Sequence, residues 1–232
     1  LLTGPKSELL IANLTDDKTD VSNFPWLTHK EINLCNEKCR VLKVSYAGEK
    51  GFEIHIANNS MSKVYNELIK FGENYDLVHF GMLALDSMRL EKNYRSWKSD
   101  LTSDYSILQS GLDRWINFSK ESFIGKEALT RESEIGVTKK FVTLVVDDPE
   151  DNKAFGEPVY LSPVFAGDKY LGPVVSSGYG HRVKKSISMA ILDDRNLDGL
   201  NDQLHIDVLG RKRKAHIVKE ALYDPENNRL RS

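Results

Sequence analysis

Glu53 and His55 stand two residues apart in VSYAGEKGFEIHI, residues 44–56. In a strand that spacing puts both on one face, a carboxylate beside an imidazole, opposite the face that Phe52 and Ile54 need for a core. A carboxylate so placed can accept two hydrogen bonds from adjacent N–H groups of a ligand. Tyr46 brings an aromatic hydroxyl to the same neighbourhood. Taken alone, the pattern also describes a solvent-facing glutamate on an amphipathic hairpin. Further along, Trp97 lies beside Arg95 and Lys98. Its indole can stack on a flat heteroaromatic ring or serve as a partly buried anchor.

Other chemistry-bearing residues read more plainly. Cys35 and Cys39 would need further soft ligands to hold zinc, and the nearest candidate is His29. Unpaired thiols and no metal are expected. Arg114 and Trp115 would face opposite sides of a strand. In SGYGH, residues 177–181, two glycines are too few for a dinucleotide fingerprint, and a strand pattern follows rather than a helix. His181 therefore reads as structural. The basic run at residues 211–214 follows Gly210 as a solvated hairpin tip would. The sequence shows no P-loop, serine elbow or flavin or nicotinamide fingerprint.

The elements that must position these residues follow from periodicity. Leu42, Val44 and Tyr46 alternate with Lys43 and Ser45 on an incoming strand, and Gly48 and Gly51 mark the reversal. A helix is predicted near residues 6–13 with Leu9 and Leu10 inward. Residues 15–39 read as irregular, with a short helix near Trp26. Asn58, Asn59 and Ser60 are predicted to cap a helix over 61–72 carrying Val64, Leu68 and Phe71. Another helix is predicted over 80–91, with Leu85, Met88 and Met82 buried. After a connector at 132–138, strands are predicted at 141–146, 158–161, 171–176, 186–192, 204–208 and 214–218, a spacing that argues for an antiparallel barrel or sandwich. The boundary falls near Gly136, giving domains 1–136 and 137–232.

With 232 residues, two modest domains fit comfortably, and a formal charge of −2 argues against a surface built for nucleic acid or membrane. No apolar run approaches a membrane span and no signal peptide opens the chain, so a cytoplasmic protein is expected.

The hairpin string resembles the YTGExGxE segment of aminomethyltransferases, the folate-binding T-protein of glycine cleavage. It is more similar still to the folate-binding parts of dimethylglycine and sarcosine dehydrogenases. Residues 80–102, FGMLALDSMRLEKNYRSWKSDLT, resemble that family's GxRALxSxRLEKGYRAWGxDLT. Residues 106–129 resemble SPLEAGLxxxVxFxKxxFIGKEAL, residues 176–192 resemble TSGxYGxxxxKSIAxAYV, and residues 222–231 resemble the closing peptide of bacterial dehydrogenases.

The resemblance implies an α+β fold, part of an aminomethyltransferase folate-binding domain followed by an antiparallel β-barrel. It implies tetrahydrofolate as cofactor, with Glu53 on the pterin ring, Tyr46 and His55 beside it, and Trp97 where relatives carry a stacking tyrosine. The partners implied are folate and a small amine donor, with a flavin-binding domain or subunit in the dehydrogenase branch. Leu85-Asp86 stands where classical members have an arginine-aspartate pair, so that arginine contact is not carried over. LLTGPKSELL resembles an internal peptide, so the chain reads as N-terminally truncated, with the family's catalytic acid upstream and catalytic residues here unknown. The reaction implied is one-carbon transfer forming 5,10-methylenetetrahydrofolate. The rival readings are a non-catalytic folate-binding module and a folate-dependent demethylase of another donor. SFIGKEA lacks the cysteine of the KGCYxGQE motif, which sets aside the iron–sulfur-maintenance branch.

Overall fold

The structure, a computed structural model, describes residues 1–15, 21, 24–147, 156–193, 197 and 199–231. Packing divides the chain into two compact units, Leu1–Lys92 with Tyr223–Ser232, and Asn93–Leu222.

The first unit opens with β1 (Leu2–Thr3) and α1 (Ser7–Leu14). Then come β2 (His29–Leu34), β3 (Glu37–Leu42) and β4 (Gly51–Ile56), in an antiparallel sheet of order β1-β4-β3-β2. The helices α2 (Asn58–Gly72) and α3 (Met82–Glu91) follow. On α1 the buried residues are Ser7, Leu10, Ile11 and Leu14, a spacing that makes one helical stripe. Leu9 falls off that stripe and is exposed, not inward as predicted. Leu10, Ile11 and Leu14 pack with Phe24, Ile32, Cys39, Val41, Phe52 and Val64.

Residues 15–39 are more regular than their polarity suggests. Leu34 pairs with Glu37 across a two-residue turn, in which Cys35 and Asn36 have φ of 54° and 63°. Two successive positive φ values suit the right-handed twist of a tight hairpin. No glycine announced that turn. Residues 16–20 and 22–23 lie outside the described residues. Asn58–Ser60 form the first turn of α2 rather than its cap, and the Ser60 hydroxyl donates to Glu37 Oε2 at 2.6 Å. On α3 the buried residues are Arg89, Leu90 and Glu91, whereas Met82 is exposed.

The second unit contains a 3₁₀ turn at Asp113–Trp115 and α4 (Lys126–Ile135), and then the barrel. Its strands are β5 (Lys139–Val146), β6 (Pro163–Ala166), β7 (Lys169–Gly180), β8 (Lys185–Asp193), β9 (Leu204–Val208) and β10 (Arg211–Val218). They close antiparallel in the order β10-β5-β8-β7-β6-β9. Val142, Leu144 and Val146 of β5 and Leu204, Ile206 and Val208 of β9 fill the interior at the two-residue strand period. The fold is thus a mixed helix-and-sheet part and an antiparallel barrel, as the sequence predicts.

Two details differ. The stretch 158–161 is a turn, because Leu161 has φ of 69° and Val159, Tyr160 and Leu161 are exposed. The strand starts instead at Pro163, a position where the missing N–H is tolerated. The basic run is the start of β10 rather than a solvated tip. Arg213 is buried and donates to the Asp147 carbonyl at 3.0 and 2.8 Å.

Where β7 passes β8, a Cβ at Gly172 would sit 2.1 Å from the Ile191 carbonyl oxygen. Both atoms belong to paired backbones that cannot separate without breaking the barrel ladder. Gly172→Ala is therefore expected to destabilise the protein by about 1–3 kcal/mol, the range for overpacking. A lowered urea midpoint with an unchanged slope would show it.

Candidate functional site

The pleat of β4 sets the geometry. Phe52 is fully buried with the Phe24 ring 5.9 Å away, and the alternation turns Glu53 and His55 outward, where both are exposed. His55 Nε2 lies 2.8 Å from Glu53 Oε1. Glu53 Oε2 has no hydrogen-bond partner among the described residues. Opposite Glu53 on β3 stands Leu42, and opposite His55 stands Arg40, which reaches Glu31 at 3.4 Å. The outward face therefore offers a carboxylate next to an apolar side chain, flanked by an imidazole and a guanidinium.

The incoming strand differs from the sequence reading. β3 ends at Leu42, and Cys39 and Val41 rather than Leu42 face the core. The Leu42–Glu53 pairing fixes that phase, because residues directly paired across a sheet share a face. Tyr46 thus lies half-buried on the loop of residues 43–50, not on a strand. Lys43, expected to face solvent, is buried: its carbonyl accepts from Leu27 N at 3.1 Å, and its ammonium lies 3.7 Å from Glu8. Ser45 Oγ, next to Tyr46 in the chain, is buried without a hydrogen-bond partner among the described residues.

Glu53, His55 and Tyr46 belong to the first unit, and Trp97 belongs to the second. Trp97 is 77% exposed on a tight turn closed by Asp100 N and Leu101 N, which donate to the Ser96 carbonyl at 3.0 and 3.2 Å. Asp100 is fully buried: Oδ2 accepts from Ser96 N at 2.7 Å and Oδ1 from the Ser176 hydroxyl on β7. In the sequence it stands at the aspartate of the family string RAWGxDLT, but nothing local marks it as buried. Arg114 and Trp115 sit on the 3₁₀ turn rather than a strand, both exposed, with Arg114 Cζ 5.1 Å from the Trp115 ring. His181 is exposed in the turn after β7, its ring 5.2 Å from that of Tyr179.

Burial pushes the Cys39 thiol up from its ordinary value, which leaves it a poor nucleophile. Among the described residues no group of three or more His, Cys, Asp or Glu side chains could hold a metal ion. Among them too, no helix is long and apolar enough to cross a membrane.

The fold is that of a known class. It superposes on the crystal structure of glycine cleavage system aminomethyltransferase T from Bartonella henselae with a TM-score of 0.77 at 17% identity, over 94% of this chain and 57% of that one. Residues 1–120 match the family described as the GCVT N-terminal domain, and residues 139–224 match the glycine cleavage T-protein C-terminal barrel domain. The chain belongs to the glycine cleavage T-protein family. It is 32% identical to an aminomethyltransferase of Alkaliphilus oremlandii over 95% of this chain, and 27% identical to mitochondrial dimethylglycine dehydrogenase of Mus musculus over 99%. It is also 28% identical to mouse mitochondrial sarcosine dehydrogenase over 99% of its length. It spans 58% of the first of these relatives, 26% of the second and 25% of the third.

Lys98 follows Trp97 with φ of 73°, a left-handed conformation that disfavours a Cβ, and it stands where the resembling motif has glycine. Lys98→Gly is expected to raise stability by up to about 1 kcal/mol, the relief of strain outweighing the added chain entropy. A higher midpoint in urea unfolding checks it.

Proposed function

We propose that this chain is the folate-binding and barrel part of a tetrahydrofolate-dependent one-carbon transferase, acting on a small amine donor and yielding 5,10-methylenetetrahydrofolate. The observation that carries the reading is the ordered match of both T-protein domains along one chain, residues 1–120 and then 139–224. The folate-binding part runs to about Gly136 and the barrel from Val137. In this reading Glu53 accepts paired N–H groups of the pterin, His55 steadies the carboxylate and Tyr46 lies beside it, while Trp97 offers an indole for stacking on folate.

Tetrahydrofolate, when bound, supplies the nucleophilic nitrogen that captures a carbon at the formaldehyde oxidation level. What this chain contributes is orientation and charge placement. Glu53 is the group best suited to fix the ring plane, because a carboxylate accepts two parallel hydrogen bonds. His55 Nε2, 2.8 Å from Glu53 Oε1, orients the carboxylate, and each oxygen keeps a lone pair for a ligand. Leu42 across the ladder supplies an apolar surface against which a ring can lie.

The relatives bearing the name dehydrogenase are about four times as long as this chain, since it spans 25–26% of them. A flavin-binding domain or subunit is the partner we propose for a parent protein of that branch.

Two measurements test the reading. Glu53→Ala is expected to weaken binding of a folate analogue by about 1.5–3 kcal/mol, the range for hydrogen bonds to a charged group. Calorimetry on the full-length protein reads it, and an unchanged affinity at equal foldedness removes Glu53 from the site. Residues 1–232 alone are expected not to form 5,10-methylenetetrahydrofolate from tetrahydrofolate and an amine donor above background, whereas the full-length protein should. Turnover by neither would put the non-catalytic folate-binding reading ahead.

A further inference from the structure

The loop of residues 43–50, which carries Tyr46, is gripped from two directions. On one side Glu8 of α1 takes Lys50 Nζ at 2.9 Å, and the Lys50 carbonyl accepts from Gly4 N at 2.8 Å and Ser7 Oγ at 3.2 Å. On the other side stand residues from far along the chain. The Tyr223 hydroxyl donates to Glu49 Oε1, and Gly48 lies on the stem of Lys92. A Cβ at Gly48, whose φ is 78°, would come within 3.0 Å of Lys92 Cδ.

Lys92 is itself the anchor of the closing peptide. Its side chain is 1% exposed, and its ammonium donates to the Asp224 carbonyl and, at 3.2 Å, to the Asp224 carboxylate. Tyr223 N donates to the Glu91 carbonyl at 3.0 Å. Asp224 in turn accepts from Arg229 N at 3.2 Å and Leu230 N at 3.4 Å, and Leu230 is buried. Burial alone would raise the Asp224 carboxyl. The Arg229 amide, the Lys92 ammonium and the Leu230 amide outweigh that and hold it below the ordinary aspartate value. A buried ion pair adds little net stability, because desolvation offsets most of its attraction. What such a pair does fix is where the peptide lies.

We propose that residues 223–231 form a strap that sets the conformation of the ligand loop, with Tyr223 as a positioning residue acting through Glu49 on the segment that carries Tyr46. The proposal rests on the folate reading for its functional consequence, and its structural half stands on the contacts alone. Tyr223 touches no reacting group. Its hydroxyl removes freedom from the loop before a ligand arrives, so affinity gained in this way comes from preorganisation.

Tyr223→Phe removes the hydroxyl and keeps the ring, and Glu49→Ala removes the acceptor from the loop side. In the ligand-free full-length protein, both variants are expected to speed hydrogen exchange at residues 44–50 by roughly tenfold, equal to the loss of one typical hydrogen bond. Exchange in the barrel should stay unchanged. In calorimetry Tyr223→Phe should weaken a folate analogue by a similar factor, and should add nothing in a Tyr46→Ala background. Unchanged exchange in both variants overturns the strap. Faster exchange with unchanged affinity, or full additivity with Tyr46→Ala, overturns the positioning role. If Tyr46→Ala alone leaves affinity intact, the folate reading of the loop fails, and exchange still decides the strap.

Discussion

The pleat of β4 is the constraint on which the site depends. Phe52 is fully buried, and a strand cannot bury it without sending Glu53 and His55 the other way. Burying an aromatic side chain of this size contributes about 2–3 kcal/mol, several times what an exposed Glu–His contact could add. The core therefore chooses the register, and the site inherits it. Pairing with β3 then fixes Leu42 as the neighbour of Glu53 and Arg40 as the neighbour of His55.

The same logic explains where the sequence was legible. Glu53 and His55 could be placed because Phe52, Ile54 and Ile56 form an unambiguous period-two run. Five of the six barrel strands could be placed because β-branched residues recur between turn-forming clusters. The incoming strand was harder, because Cys39–Val41 and Leu42–Val44–Tyr46 are both alternating apolar series and only pairing with β4 selects between them. The Cys35–Asn36 turn was invisible because cysteine gives no hint of positive φ. The stretch 158–161 looks like a strand by composition, yet Leu161 turns left-handed there and pairing begins at Pro163.

What the sequence did not reveal is the burial of certain polar residues. Asp100, Lys92 and Arg213 are charged types that are ordinarily exposed. Their burial follows from partners distant in the chain: Ser176 for Asp100, the 223–224 peptide for Lys92, and the Asp147 carbonyl for Arg213. No local pattern encodes those pairings. The resemblance of residues 222–231 to a family peptide marked the segment but not its task.

The division of the chain into units has a consequence for the order in which the molecule can assemble. The first unit is discontinuous, since its last piece begins at Tyr223, after the whole of Asn93–Leu222. On a ribosome the sheet, α1, α2 and α3 emerge first, with Lys92 waiting without Asp224. The barrel cannot close until β10 reaches β5, where Ala215 meets Val146. Such distant pairings carry a loop-closure penalty and form late. Completion of the first unit is thus tied to synthesis of the second: a chain stalled or cut anywhere in the barrel would carry Glu53 and His55 in place but leave the loop that bears Tyr46 fastened on one side only.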